Sequence, residues 1–156
     1  MVPVTAAPGE VHVQTLTKDL ATRFADELIA MLGDIEWDYW GRDQLLAHRD
    51  EKWERSLLAT QGGEPVGWAV VSRTERGAHL HHLVVAKEAR SRGIGALLMA
   101  EALRRTGLGV LTLKVHPDND AAVRFYVRMG FLEKRDDAGE YRLFSRSVRD
   151  GAERVS

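Results

Sequence analysis

The hydrophobic positions of the chain follow two different periods. Several short stretches alternate apolar and polar residues, which is typical of half-buried strands. Other stretches repeat apolar residues every three or four positions, which is typical of amphipathic helices. The alternating pattern predicts seven strands, at residues 10–17, 56–60, 65–74, 78–85, 110–115, 131–135 and 141–148. The helical pattern predicts four helices, at residues 18–32, 43–55, 91–106 and 119–129.

These elements follow the order β-α-α-β-β-β-α-β-α-β-β. Hairpins mixed with crossover helices predict an α/β fold in which one mixed, mostly antiparallel sheet of about seven strands is flanked by four helices. We expect residues 10–149 to form a single domain. Residues 1–9 are expected to form a flexible arm, and residues 150–156 a frayed tail.

Composition narrows the class of protein. The 156 residues are 44% hydrophobic and 29% charged, which is typical of a globular chain. A net charge of -1 provides no basic field for nucleic acid. The absence of cysteine excludes disulfides, thiolate metal ligands and a cysteine nucleophile. With no signal-peptide pattern and no apolar run of ~18 residues, we expect a cytoplasmic protein with neither membrane nor nucleic-acid partners.

Residues 90–95 (RSRGIG) follow a predicted strand and open a predicted helix. The free N–H groups and the dipole of a helix N-terminus favour an anion at this place. Gly93 and Gly95 have no Cβ and let a phosphate approach the backbone, while Arg90 and Arg92 add charged donors. The turn therefore predicts a phosphate site; the alternative is a basic loop that starts an ordinary helix.

A second motif, NDAAVRFYVRMGF, spans residues 119–131. Together the two motifs resemble those of the GCN5-related N-acetyltransferase (GNAT) superfamily, whose cofactor turn reads Q/R-x-x-G-x-G/A and whose later helix reads N-x-x-A-x-x-F-Y-x-x-x-G-F. The matching residues are Arg90, Gly93, Gly95, Asn119, Ala122, Phe125, Tyr126, Gly130 and Phe131. The predicted element order is also that of the family, so the resemblance covers nearly the whole chain.

The resemblance implies an enzyme that transfers an acyl group from acetyl-CoA, or another acyl-CoA, to an amine, without a metal. In the family the pantetheine arm of CoA lies between two splayed strands, here residues 78–85 and 110–115. The cofactor-binding residues that it implies are Leu83, Val84, Val85, Arg90, Ser91, Arg92, Gly93, Ile94, Gly95, Asn119, Ala122, Phe125 and Tyr126.

The strand at residues 78–85 has an irregular pattern. Its apolar residues Leu80, Leu83 and Val85 share one face only if the strand accommodates an extra residue. We therefore expect a β-bulge at His81 or His82, because bulges commonly re-aim side chains beside active sites.

The catalytic candidates are two histidines and a tyrosine. A protonated amine has a pKa near ~10 and must lose a proton before it attacks, and a histidine with a pKa near ~6.5 can accept it. His79 and His81 lie two residues apart and resemble the base pair of arylalkylamine N-acetyltransferases, with His81 preferred because it lies nearer the bulge. Tyr126 matches the family's tyrosine that protonates the leaving thiolate. The alternatives are strand histidines with satisfied hydrogen bonds and a phenol that lines the core.

Residues 33–43 (GDIEWDYWGRD) join the first two predicted helices, where the family places its acceptor pocket. The aromatic side chains that could wall such a pocket are Trp37, Tyr39 and Trp40. The carboxylates that could attract an ammonium are Asp34, Glu36 and Asp38. The alternative is a lid whose tryptophans pack into the core. Trp68, on a central predicted strand, is expected in the core.

The expected partner is a small-molecule amine, aromatic or polyamine-like, and the oligomeric state is left open, a homodimer included. One alternative is an acetyltransferase for protein N-termini or lysine side chains. Another is a CoA-binding module without turnover. The least favoured is a metal site formed by His79, His81, His116 and Asp118.

Overall fold

The computed structural model describes residues 9–33, 40–134 and 139–148. In these ranges seven strands form one sheet in the order β1-β2-β3-β4-β5-β7-β6. They are β1 (Val11–Thr15), β2 (Leu57–Gln61), β3 (Glu64–Thr74), β4 (Gly77–Val85), β5 (Gly109–Val115), β6 (Leu132–Lys134) and β7 (Arg142–Val148). Neighbouring strands are antiparallel except β4 and β5, which are parallel. The predicted α/β fold with a mixed, mostly antiparallel sheet is confirmed.

The described residues contain six α-helices where four were predicted. They are α1 (Lys18–Arg23), α2 (Ala25–Ala30), α3 (Arg42–Leu46), α4 (Lys52–Arg55), α5 (Ile94–Thr106) and α6 (Asp120–Arg128). The first predicted helix is divided at Phe24, whose φ of -101° and ψ of 15° leave helical geometry. The second is divided because Ala47 is extended and Glu51 adopts a left-handed conformation with φ 52°. No helix in the described ranges is both long and apolar enough to span a membrane.

The sheet separates two hydrophobic cores. Helices α5 and α6 cover one face, where Leu98 and Tyr126 pack against strand residues such as Leu113. Helices α1 to α3 cover the other face, where Leu28 packs against Trp68. Trp68 is fully buried and its Nε1 donates a hydrogen bond to the Leu28 carbonyl at 3.0 Å, so its predicted core position is confirmed.

Candidate active site

A β-bulge interrupts β4 at the predicted place. In the register with β3, His82 pairs with Val70 and Leu80 pairs with Val71, so that His81 is the additional residue. The bulge brings Leu80 and Leu83 onto the face covered by α5 and α6. It also leaves all three histidines of the strand on the opposite face.

The pairing between β4 and β5 ends in the middle of both strands. The parallel register runs from Gly77 and Val110 to Leu80 and Leu113, and the described remainder of β4 has no partner on β5. After Leu80, the backbone groups of β4 that do not point towards β3 therefore face a slot between β4 and β5.

Two glycines hold the closed end of this slot together. A Cβ built on Gly77 would lie 2.3 Å from the Val110 carbonyl oxygen, and one built on Gly109 would lie 2.3 Å from the Arg76 carbonyl oxygen. Real Cβ atoms do not approach backbone oxygens so closely. The two strand starts can therefore approach each other only without side chains at these positions.

The turn before α5 has the geometry of an anion site. Gly93 precedes the helix with a φ of 81° and provides no side-chain cap, and Ser91 also has a positive φ of 66°. The N–H groups of the first helical turn are therefore left for a ligand. The Arg90 side chain folds back, and its Nε donates a hydrogen bond to the Val85 carbonyl at 3.1 Å. Arg92 is exposed.

Helix α6 closes the apolar side of the slot. A Cβ built on Gly95 would lie 3.3 Å from the Phe125 ring and 3.7 Å from the Leu83 side chain, so the start of α5 contacts both elements. Asn119 caps α6, because its Oδ1 accepts a hydrogen bond from the Ala122 N–H at 3.2 Å.

Tyr126 lies in the core on the same helix. Its ring makes edge-on contacts with Phe125 and Phe131 at centroid distances of 5.2 and 5.8 Å. Only 9% of the residue is exposed. This burial agrees with the alternative in which the Tyr126 phenol lines the core, and its role as the acid stays a prediction.

The two candidate base histidines lie against each other and each contacts a hydroxyl. Their ring centroids are 4.8 Å apart. His79 Nδ1 lies 2.7 Å from Thr112 Oγ1 on β5, and His81 Nε2 lies 2.8 Å from Ser72 Oγ on β3. These contacts leave His79 Nε2 and His81 Nδ1 as the ring nitrogens available to a substrate.

Burial determines the charge of this histidine group. Desolvation, with a smaller effect of nearby cations, lowers the pKa of His79 to about 4 and that of His81 to about 3. The same causes lower the pKa of His82 to about 4. All three rings are therefore neutral at pH 7, and burial makes each a weaker base than a free imidazole.

Trp40 is the one predicted acceptor residue in the described ranges. Its ring contacts His82 edge-on at 4.2 Å and lies 6.3 Å from the Trp68 ring. It also lies 6.4 Å from His81 and forms an aromatic wall beside the histidines. The remaining candidates lie outside the described residues: Asp34, Glu36, Trp37, Asp38 and Tyr39.

Lys52 is buried behind this wall. Its Nζ donates hydrogen bonds to the carbonyls of Leu45 at 2.5 Å and Ala47 at 2.8 Å, and lies 5.8 Å from the Trp40 ring centroid. Burial, with a smaller effect of the Arg49 charge, lowers the Lys52 pKa to about 8. Sequence reasoning did not single out Lys52, Ser72 or Thr112, because nothing local marks them.

His116 lies apart from the histidine pair. Its Nδ1 accepts a hydrogen bond from the Asp118 N–H at 3.1 Å, and its ring contacts Tyr141 at 5.6 Å. In the described part of the chain, no three histidine or carboxylate side chains are grouped so as to hold a metal ion.

A cavity of about 580 Å³ lies beside Arg90, in the turn before α5. It extends from the end of α2, at Met31 and Gly33, to Lys87 and Arg90 after β4.

Comparison with known proteins identifies the class. The model of the acetyltransferase (GNAT) family matches residues 20–131. The chain therefore belongs to the acetyltransferase (GNAT) family. A search of curated protein sequences gives no significant match.

Three solved structures illustrate the shared fold. The ribosomal-protein-S18-alanine N-acetyltransferase from Escherichia coli has a TM-score of 0.74 and 18% identity, covering 94% of this chain and 99% of that chain. The Paia N-acetyltransferase from Thermoplasma acidophilum, in complex with coenzyme A, has a TM-score of 0.71 and 18% identity. The match covers 88% of this chain and 99% of that chain. Diaminobutyrate acetyltransferase EctA from Paenibacillus lautus, in complex with L-2,4-diaminobutyric acid and coenzyme A, has a TM-score of 0.68 and 17% identity. The match covers 89% of this chain and 95% of that chain.

Proposed function

We propose that the chain is an acyl-CoA-dependent N-acyltransferase that transfers an acetyl or other acyl group to the primary amine of a small molecule by direct attack in a ternary complex. The observation that carries the proposal is the structure of β4. The end of β4 that does not pair with β5 borders a slot that leads to the uncapped N-terminus of α5. The bulge of β4 places neutral histidines on the sheet face opposite α5 and α6.

The described residues fit an acyl-CoA. The N–H groups at the start of α5, with Arg90 and Arg92, would hold the diphosphate. Along Leu83, Val84 and Val85, the backbone groups that do not pair with β3 would bind the amides of the pantetheine arm. Arg90 must first release the Val85 carbonyl, which it now contacts. The thioester of the bound acyl-CoA supplies the activated acyl group.

His79 and His81 act as the base in this proposal. His79 Nδ1 lies 2.7 Å from Thr112 Oγ1, and in this proposal the Nδ1–H donates to the hydroxyl. This tautomer leaves His79 Nε2 with a lone pair. A histidine with so low a pKa does not deprotonate a free ammonium efficiently, so the acceptor attacks as the neutral amine. The histidine then takes the proton that the nitrogen loses as the N–C bond forms, because that bond makes the proton acidic.

Tyr126 completes the proposal as the proton donor to the leaving thiolate. Its position on α6, next to Phe125 at the slot, supports this role. Trp40 forms the described wall of the acceptor site, and residues 36–39 would supply the rest.

A thiol-release assay tests the proposal. The purified full chain is mixed with acetyl-CoA and a panel of arylalkylamines, polyamines, aminoglycosides, amino acids and short peptides. We expect turnover on one small amine, lowered about 10²-fold or more in Tyr126→Phe and in the double variant His79→Ala with His81→Ala. His12→Ala on β1, which removes an exposed histidine, is the matched control.

Different failures of this assay have different meanings. Undiminished turnover in the double variant would remove the base role but retain the transferase. Turnover on peptides alone would favour a protein acceptor. Acetyl-CoA binding without thiol release from any amine would contradict enzymatic function.

A further inference from the structure

One face of β5 carries a lysine beside the histidine pair. Leu111, Leu113 and Val115 point into the core under α5 and α6, so Thr112 and Lys114 point to the opposite face. Thr112 is the residue that contacts His79 Nδ1, and Lys114 is the next residue of β5 on that face. Its side chain is exposed and has no hydrogen bond or ion pair within the described ranges.

A second cation lies on the other side of the histidines. The loop between α3 and α4 is fixed to β3, because the Arg73 N–H donates to the Asp50 carbonyl at 2.8 Å. The preceding residue of β3 is Ser72, whose hydroxyl contacts His81. Arg49 precedes Asp50 in this loop, is exposed, and forms no side-chain hydrogen bond or ion pair among the described residues.

The carboxylates of the same loop are already engaged. Glu51 forms ion pairs with Arg55 at 3.0 Å and Arg73 at 3.2 Å, and Asp50 lies 3.9 Å from Arg73. Arg49 is therefore not neutralised by the carboxylates of its own loop. Besides burial, the charges of Lys114 and Arg49 are what lower the pKa of His79, so both fields reach the same ring.

We propose that Lys114 and Arg49 form an anion-binding subsite beside the histidine pair, and that the acceptor is an amine which also carries an anionic group, a carboxylate or a phosphate. The inference rests on the proposed function and specifies its substrate class. Two unpaired cations attract such a group and repel a second ammonium, so they select against the polyamines expected from the sequence.

Pairs of amines that differ only by a carboxylate test this subsite. Thiol release from acetyl-CoA is measured with ornithine and putrescine, lysine and cadaverine, and phenylalanine and phenylethylamine. Ethanolamine with and without its phosphate distinguishes the two kinds of anion. We expect a higher kcat/KM for the anionic member of at least one pair.

Charge variants then assign the preference to the two residues. Lys114→Met and Arg49→Gln should each raise the KM of the anionic acceptor about tenfold, as expected for loss of one charge-assisted contact. The KM of its counterpart without the anionic group should change less than about twofold. Lys18→Met, which removes the same charge from the exposed start of α1, is the control and should change neither value.

The outcomes separate the subsite from the transferase itself. Preference for the decarboxylated amine in every pair, or equal KM changes for both members, would overturn the subsite and leave the enzyme class intact. If no amine is turned over, binding of the amines to the CoA-bound protein tests the subsite. With CoA present, ornithine but not putrescine should then shift the imidazole NMR signals of His79, and a shift with neither overturns the inference.

Discussion

His82 is packed against Trp40 and Trp68, and this position should make the fold sensitive to acid. Only 6% of the residue is exposed, and its ring centroid lies 4.2 Å from that of Trp40 and 5.8 Å from that of Trp68. Desolvation, and to a smaller extent the Arg49 charge, lowers its pKa to about 4. In the unfolded chain the pKa of a histidine is near ~6.5.

The sign and the size of the effect follow from proton linkage. Between these two pKa values the unfolded chain binds more protons than the folded protein, so the free energy of unfolding falls as the pH falls from about 6.5 towards 4. A shift of this size corresponds to a loss of about 2 kcal/mol between pH 7 and pH 5 from His82 alone. That loss is a considerable part of the stability of a typical domain, which is about 5–15 kcal/mol.

Urea unfolding of the wild type and of His82→Leu at pH 7 and pH 5 measures this loss. His79 and His81, whose pKa values are also lowered, contribute to the pH dependence of both proteins, so the difference between the proteins reports His82. We expect the wild type to lose about 2 kcal/mol more than the variant. His12→Ala should behave as the wild type. An equal loss in wild type and His82→Leu would refute the reasoning, because a buried neutral ring must contribute.

Three further predictions concern the slot and its surroundings. Gly77→Ala should lower the free energy of unfolding by about 2–3 kcal/mol. The control is Gly62→Ala, whose added Cβ meets no atom within 4 Å and which should cost about 1 kcal/mol. Equal losses in urea unfolding would contradict the tight strand contact. Thr112→Val should lower kcat/KM about tenfold while the KM for acetyl-CoA stays unchanged, whereas a parallel change in both would indicate general damage. Lys52→Met should cost about 2 kcal/mol, because buried carbonyls lose their donor, and an unchanged urea midpoint would show that they find another partner.

The sequence was sufficient for those features that depend on neighbouring residues. The seven strands follow from alternating apolar positions, and the bulge follows from the break of that alternation between Leu80 and Leu83. The turn before α5 could be recognised because Gly93 and Gly95 lie within one short motif, and its binding of an anion stays a prediction. In each case the determining interactions act over a few positions of the chain.

The features that the sequence did not predict depend on distant residues. Ser72 and Thr112 contact the histidines only because β3 and β5 pair with β4 in a particular register. No local sequence pattern predicts that register. The sequence pattern places Lys52 at a polar position of a helix. In the structure its ammonium is buried and donates hydrogen bonds to the carbonyls of Leu45 and Ala47, at the end of α3. The division of the second predicted helix also involves distant residues, because Asp50 accepts a hydrogen bond from the Arg73 N–H of β3 and Glu51, which is left-handed, forms an ion pair with Arg73.

The bulge at His81 links the two halves of the proposed site. In a regular strand, Leu83 and Val85 would share a face with His79 and His81, and the apolar wall of the slot would lie on the histidine side. One additional residue reverses the alternation after His81. Leu83 and Val85 then join the core under α5, while the histidines remain on the face that carries Trp40. A single strand can therefore offer its backbone edge to an acyl donor and its polar face to an amine.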